Sequence, residues 1–202
     1  MPLKSLRNEL LRTILGSSEA VDLLLTSLLA RGHALVTGPP GIGKTTLSQT
    51  LATLLSGSYR RIQFTPDLLP SDILGYQLYR PQNGDFDFIA GPIFANFVLA
   101  DEINRASPRT QSSLLEAMNE QQVTIDGSTR KLADPFFVIA TQNDTSSTGT
   151  FPLPEPQLDR FLLSIPMVLP DDQTQLEILR FHAGGKSSHA SEPIISLEQL
   201  TQ

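Results

Sequence analysis

The 202-residue chain is 40% hydrophobic, carries a formal net charge of −6 and contains no cysteine. That length supports one sizeable core. The absence of thiols excludes disulfides and thiolate chemistry, and the acidic balance, with basic residues adjacent at Arg60-Arg61 but in no longer run, argues against nucleic acid as a partner. His33, His182 and His189 show no ligand spacing, no run approaches the ~18 apolar residues of a spanning helix, and no basic-then-apolar leader opens the chain. The expectation is a soluble, cytoplasmic protein with no direct membrane insertion.

Leu3, Leu6, Leu10 and Ile14 predict an amphipathic helix stopped by Gly16. Ser18 is the expected cap of a second, with Val21, Leu24, Leu25 and Leu28 inward and Gly32 at its end. Residues 33–37 read as a short buried strand, followed by a glycine-rich loop and a helix carrying Leu47, Leu51, Leu54 and Leu55. A second strand is expected at 61–64, and Pro66 and Pro70 make 65–75 an irregular or short helical link. Alternating stretches at 76–79 and 86–89 flank Asn83-Gly84, a hairpin signal. A third strand at 97–100 ends at Asp101-Glu102, and Ser107-Pro108 opens a helix as N-cap and first-turn proline. A second hairpin turns at Asp126-Gly127, residues 136–140 form a fourth strand, and 162–169 contains a fifth. Asp171-Asp172 caps a helix through Leu176, Leu179 and His182, residues 184–191 form a polar link, and Ser196 with Gln199 fits a capping box. Strands alternating with helices predict a parallel sheet covered on both faces.

The loop Gly38-Pro39-Pro40-Gly41-Ile42-Gly43-Lys44-Thr45-Thr46 fits the phosphate-binding pattern G-x-x-x-x-G-K-[ST]. Its glycines free backbone N–H groups to face phosphate oxygens, and the helix dipole points its positive end at the same anion. Lys44 then reaches the β- and γ-phosphates, and the Thr45 hydroxyl ligates Mg²⁺. Asp101, at a strand end where α/β sheets bind ligands, holds Mg²⁺ through water. Glu102 is expected to point elsewhere, because strand side chains alternate, and to deprotonate a water attacking the γ-phosphate. Asn143 is placed to touch that water or the γ-phosphate, with a plain strand-end turn as the competing reading. Arg160 is either an arginine reaching a neighbour's nucleotide or a surface ion pair with Asp159 or Glu155.

The phosphate loop, the stretches 61–75, 91–96 and 100–108, and Leu153-Pro154-Glu155-Pro156-Gln157-Leu158-Asp159-Arg160-Phe161 together closely resemble the MoxR family of AAA+ ATPases. The resemblance implies an α/β P-loop NTPase core of three αβα layers around a five-stranded parallel sheet. It also implies a helix-2 insert hairpin at 76–89 and a hairpin before the first sensor at 123–132. By the family pattern Lys44 and Thr45 belong to Walker A, Asp101 and Glu102 to Walker B, Asn143 to sensor 1 and Arg160 to the arginine finger. Residues 1–170 are then the ATPase core and 171–202 the start of a helical lid, cut short. The implied cofactors are ATP and Mg²⁺. The implied setting is a homo-oligomeric, usually hexameric ring that remodels or matures partner complexes alongside a von Willebrand factor A domain protein or another client. Asp144 departs from the family, which usually has proline there. A small-molecule P-loop kinase would need a lid arginine cluster, a GTPase would need Asn-Lys-x-Asp, and Gly38, Gly41 and Gly43 do not make the dinucleotide G-x-G-x-x-G. The alternative from another class is a catalytically weak nucleotide-binding scaffold or regulatory subunit.

Overall fold

A computed structural model describes residues 2–82, 84–143, 149–183 and 193–201. Asn83 of the expected hairpin turn, Asp144 and the whole polar link at 184–191 lie outside the described residues. In chain order the elements are α1 (Pro2–Thr13), α2 (Ser18–Leu29), β1 (Ala34–Thr37), α3 (Lys44–Leu54), β2 (Tyr59–Gln63), α4 (Pro70–Leu74), β3 (Gly75–Arg80), β4 (Asp85–Ala90) and β5 (Phe97–Asp101). A 3₁₀ turn (Ile103–Arg105) leads to α5 (Pro108–Glu120), β6 (Gln122–Ile125), β7 (Ser128–Lys131), β8 (Phe137–Gln142), α6 (Glu155–Leu158), β9 (Leu163–Pro166), α7 (Asp172–Ala183) and α8 (Leu197–Thr201).

Five strands form one sheet in the order β2-β5-β8-β1-β9, every pairing parallel, while β3-β4 and β6-β7 are separate antiparallel hairpins. The side-chain period of two explains why the central strands are apolar throughout. Ala34, Val36, Phe97, Leu99, Phe137 and Ile139 enter one core against α1, α2 and α3. The residues between them, Leu35, Val98, Ala100, Val138 and Ala140, enter a second core with Leu114, Leu115 and Met118 of α5. This is the expected three-layer α/β architecture. Burying each larger aliphatic side chain stabilises the fold by roughly 1.5–3 kcal/mol. Ile195, just before α8, joins the first core and bridges to Leu55.

Register carries the fold to the site. Thr37 pairs with Gln142, Ala100 with Ala140, and Gln63 with Asp101. The C-terminal ends of β1, β2, β5 and β8 therefore finish at one level, and whatever follows each strand is gathered there.

Two expected helix ends differ. Ser17, not Ser18, occupies the N-cap position of α2, and its side chain makes no capping hydrogen bond. The left-handed residue after α2 is Arg31, with φ +55, rather than Gly32. Gly32 is needed for another reason: a Cβ there would sit 2.5 Å from Cβ of Leu162. Other caps are as expected. The Thr110 N–H donates to the Ser107 hydroxyl, the Thr174 N–H to Asp171, and Ser196 and Gln199 exchange the reciprocal bonds of a capping box. Leu176 and Leu179 of α7 are exposed.

His33 enters β1 buried against Phe136 and Phe137. Its Nδ1 accepts the Val138 N–H at 3.1 Å, which leaves Nε2 to donate to the Met118 carbonyl at 3.3 Å. That arrangement fixes a neutral tautomer, and burial holds the imidazole pKa below its usual 6.5. Above pH 6.5 the ring is neutral in both folded and unfolded chains. Below that value the unfolded chain takes up a proton that the folded chain resists, so stability is lost as pH falls. The urea midpoint should drop between about pH 7.5 and about pH 5.5, and His33→Gln should flatten that drop.

Candidate functional site

The phosphate loop needs its glycines for backbone and contact reasons together. Gly38 adopts φ +144, and a Cβ on it would lie 2.3 Å from the Met167 carbonyl oxygen just after β9. Gly43, with φ +96, is the left-handed N-cap residue that starts α3 at Lys44. Lys44 is buried, and its ammonium donates to the carbonyls of Gly38 and Pro39 and, at 2.8 Å, to Oδ1 of Asn143.

Asp101 ends β5 almost fully buried. Its Oδ1 accepts the Thr141 hydroxyl at 2.6 Å, and its Oδ2 accepts the Thr45 hydroxyl at 3.3 Å and both Nε and Nη2 of Arg61 at 3.1 and 2.6 Å. A buried carboxylate is tolerable only with such partners. Glu102 follows at φ 56 and ψ 50, a left-handed conformation that is uncommon outside glycine. Its orientation therefore comes from a backbone turn and not from the strand alternation expected of it. Non-glycine residues in this region concentrate at functional sites. The Glu102 N–H is held by the Thr141 hydroxyl at 2.9 Å. Its carboxylate accepts Asn143 Nδ2 and Arg105 Nη1, both at 2.8 Å, and Gln63 Nε2 at 3.3 Å. The following turn is pinned from below by buried Gln111, whose Nε2 contacts the carbonyls of Ile103, Ala106 and Phe151.

These groups line a cleft of about 330 Å³ floored by the phosphate loop and walled by Arg61, Gln63, Asp101, Glu102 and Asn143. A second cavity of about 370 Å³ lies across the same loop, sharing Gly41, Gly43 and Thr46. Its walls are mainly apolar, with Ile14, Ile42, Leu169, Ile178 and Leu179 contributing. Of the sequence-derived residues, Pro40, Gly41, Gly43, Lys44, Thr45, Thr46, Asp101, Glu102 and Asn143 border the first cleft, whereas Ile42 borders the second. Arg160 borders neither; it is exposed after α6 and, among the described residues, makes no ion pair with Asp159 or Glu155. Sequence reasoning missed Arg61, Gln63, Arg105 and Thr141, which meet the acidic pair only through strand register and the turn after β5.

Residues 33–163 match the profile of the ATPase family associated with various cellular activities (AAA). The chain is 47% identical over 171 residues to the chaperone MoxR1 of Mycobacterium tuberculosis (strain ATCC 25618 / H37Rv), covering 85% of this chain and 45% of that protein. The chain belongs to the AAA family of ATPases, in its MoxR group. This MoxR-group chain is also 49% identical over 189 residues to the uncharacterized protein YeaC of Bacillus subtilis (strain 168), covering 94% of the chain and 59% of the relative. A crystal structure of a candidate ATPase from Cytophaga hutchinsonii ATCC 33406 superposes with a TM-score of 0.86 at 40% identity, covering 98% of this chain and 60% of that one. The chain thus spans about half the length of the curated relatives it matches, from 45 to 59% in these two.

Thr141 has no exposed surface and serves Asp101 and Glu102 at once. Thr141→Val, nearly isosteric, should leave a buried N–H and a carboxylate oxygen short of partners and cost about 1–3 kcal/mol. Urea denaturation measures that loss, and an unchanged midpoint would mean that neither bond matters to stability.

Proposed function

We propose that the chain binds Mg²⁺–ATP across the two cavities and hydrolyses it, as the ATPase core of a chaperone-like protein that remodels or matures partner protein complexes. The observation that carries this reading is the continuous polar chain from Lys44 through Asn143 to Glu102, beside the Thr45–Asp101 pair, all in one cleft. The phosphates lie along the backbone N–H groups of the loop with Lys44 at their β and γ positions. The apolar cavity across the loop receives the base. Its contacts with Leu169 and the α7 residues Ile178 and Leu179 support reading 171–202 as the beginning of a helical lid over that base.

The oxygen donors Thr45 Oγ1 and Asp101 Oδ2, 3.3 Å apart, suit Mg²⁺, a hard cation commonly held by one or two protein oxygens plus substrate phosphates. Bound there, Mg²⁺ neutralises charge developing on the transferred phosphoryl group. Glu102 accepts a proton from the attacking water, and Asn143 orients that water or the γ-phosphate while fixing Glu102. Gln63 and Arg105 hold the other Glu102 oxygen. Arg160, outside the cleft of its own chain, reaches the nucleotide of a neighbour in a homo-oligomeric, hexameric ring. A von Willebrand factor A domain protein or another client receives the resulting motion in the cytoplasm. Among the described residues no helix is long and apolar enough to cross a membrane.

Glu102→Gln should retain ATP binding while hydrolysis falls by about 10² or more, the scale of a lost general base. Lys44→Ala should lose binding itself. Equilibrium binding and phosphate release, measured on the same preparations, check both; parental hydrolysis in Glu102→Gln would remove Glu102 from its role.

A further inference from the structure

Resting on that reading, we propose that Arg61 is a displaceable cation of the divalent-metal subsite: its guanidinium and a metal ion compete for Oδ2 of Asp101. Arg61 donates twice to that oxygen, at 3.1 and 2.6 Å, and the same oxygen accepts the Thr45 hydroxyl. The other carboxylate oxygen is committed to Thr141 inside the protein. A metal ion held between Thr45 and Asp101, directly or through its water, therefore has only Oδ2 to use, and Arg61 already crowds it.

The two partners are unequally fixed. The Asp101 side chain keeps 8% of its surface exposed, whereas that of Arg61 keeps 49%. Arg61 stands on β2, the edge strand, within the wall of the phosphate cleft, so the guanidinium can swing while the carboxylate stays. Its Nη2 also donates to Gln63 Oε1 at 2.6 Å, and Gln63 in turn contacts Glu102. Movement of Arg61 off Asp101 thus frees one face of Gln63, the residue that touches the proposed water-activating carboxylate.

Arg61 has a distinct effect on each side of the metal equilibrium. Without a divalent ion it offsets the Asp101 charge that would otherwise repel the nucleotide phosphates. With the ion it must give up Oδ2. Removing Arg61 weakens metal-free nucleotide binding and relieves the competition when metal is present, so both effects enlarge the benefit that metal confers. A guanidinium that only braced Asp101 for the metal would have the opposite sign.

The test is ADP affinity by titration calorimetry, in Mg²⁺ and in EDTA, for the parental chain, Arg61→Ala and Arg61→Lys. The ratio of the EDTA to the Mg²⁺ dissociation constant should rise about fivefold in Arg61→Ala, the size of one partly exposed ion pair, and by less in Arg61→Lys. An unchanged or smaller ratio in Arg61→Ala overturns the competition. If Arg61→Ala is not folded by circular dichroism, Arg61→Gln carries the same comparison with the same two outcomes. Failure of the parental chain to bind ADP in either condition would instead overturn the proposed function, and this inference with it.

Discussion

The carboxylate of Asp101 is the group on which the rest of the site depends. It is a buried anion at the C-terminal end of β5, and it is tolerated there because β2, α3 and β8 each deliver a donor to it. Those donors arrive by register. Gln63 pairs with Asp101 and Ala140 with Ala100, so Arg61 from one neighbouring strand and Thr141 from the other flank the same carboxylate. The apolar alternation that packs two cores also aligns the strand ends, and aligned strand ends make a site possible.

A second polar chain runs parallel to the first. Lys44 holds Asn143, Asn143 holds Glu102, and Thr141 links the Glu102 backbone to the Asp101 side chain. A phosphate that draws Lys44 toward itself therefore pulls on the amide that fixes Glu102. In the proposed function, two hydrogen bonds would join phosphate recognition to water activation, and α5 supports the turn after β5 through Gln111. Gly38 adds a steric constraint, since the loop after β9 passes too close for a side chain there.

What the sequence made legible was local. The phosphate loop, its flanking strand and helix, the acidic pair at a strand end and both hairpins are contiguous patterns whose physics acts within a few residues. The left-handed turn at Glu102 was not legible, because strand alternation predicts where a side chain points but not that the backbone leaves the strand right after Asp101. Arg61, Gln63 and Thr141 sit roughly forty residues from the carboxylates they contact, and single-sequence periodicity carries no register. The apolar cavity was missed for a similar reason: Ile14, Ile42, Leu169 and Leu179 come from separate segments that no local pattern brings together. Conversely, Gly32 invited a helix-end assignment that Arg31 takes, because Leu162 is what demands the missing side chain.

One chain brings the glycine-rich loop, the Thr45 and Asp101 oxygens and the Glu102 carboxylate into one cleft, which Arg160 does not line. The central proposal is that a neighbouring subunit completes the site. The most direct test is Mg²⁺-dependent ATP hydrolysis per subunit as a function of protein concentration, with Arg160→Ala alongside. The account predicts a specific rate that rises as subunits associate and is lost in the variant. A rate per subunit that stays constant on dilution and survives Arg160→Ala would show that each chain works alone, and would contradict it.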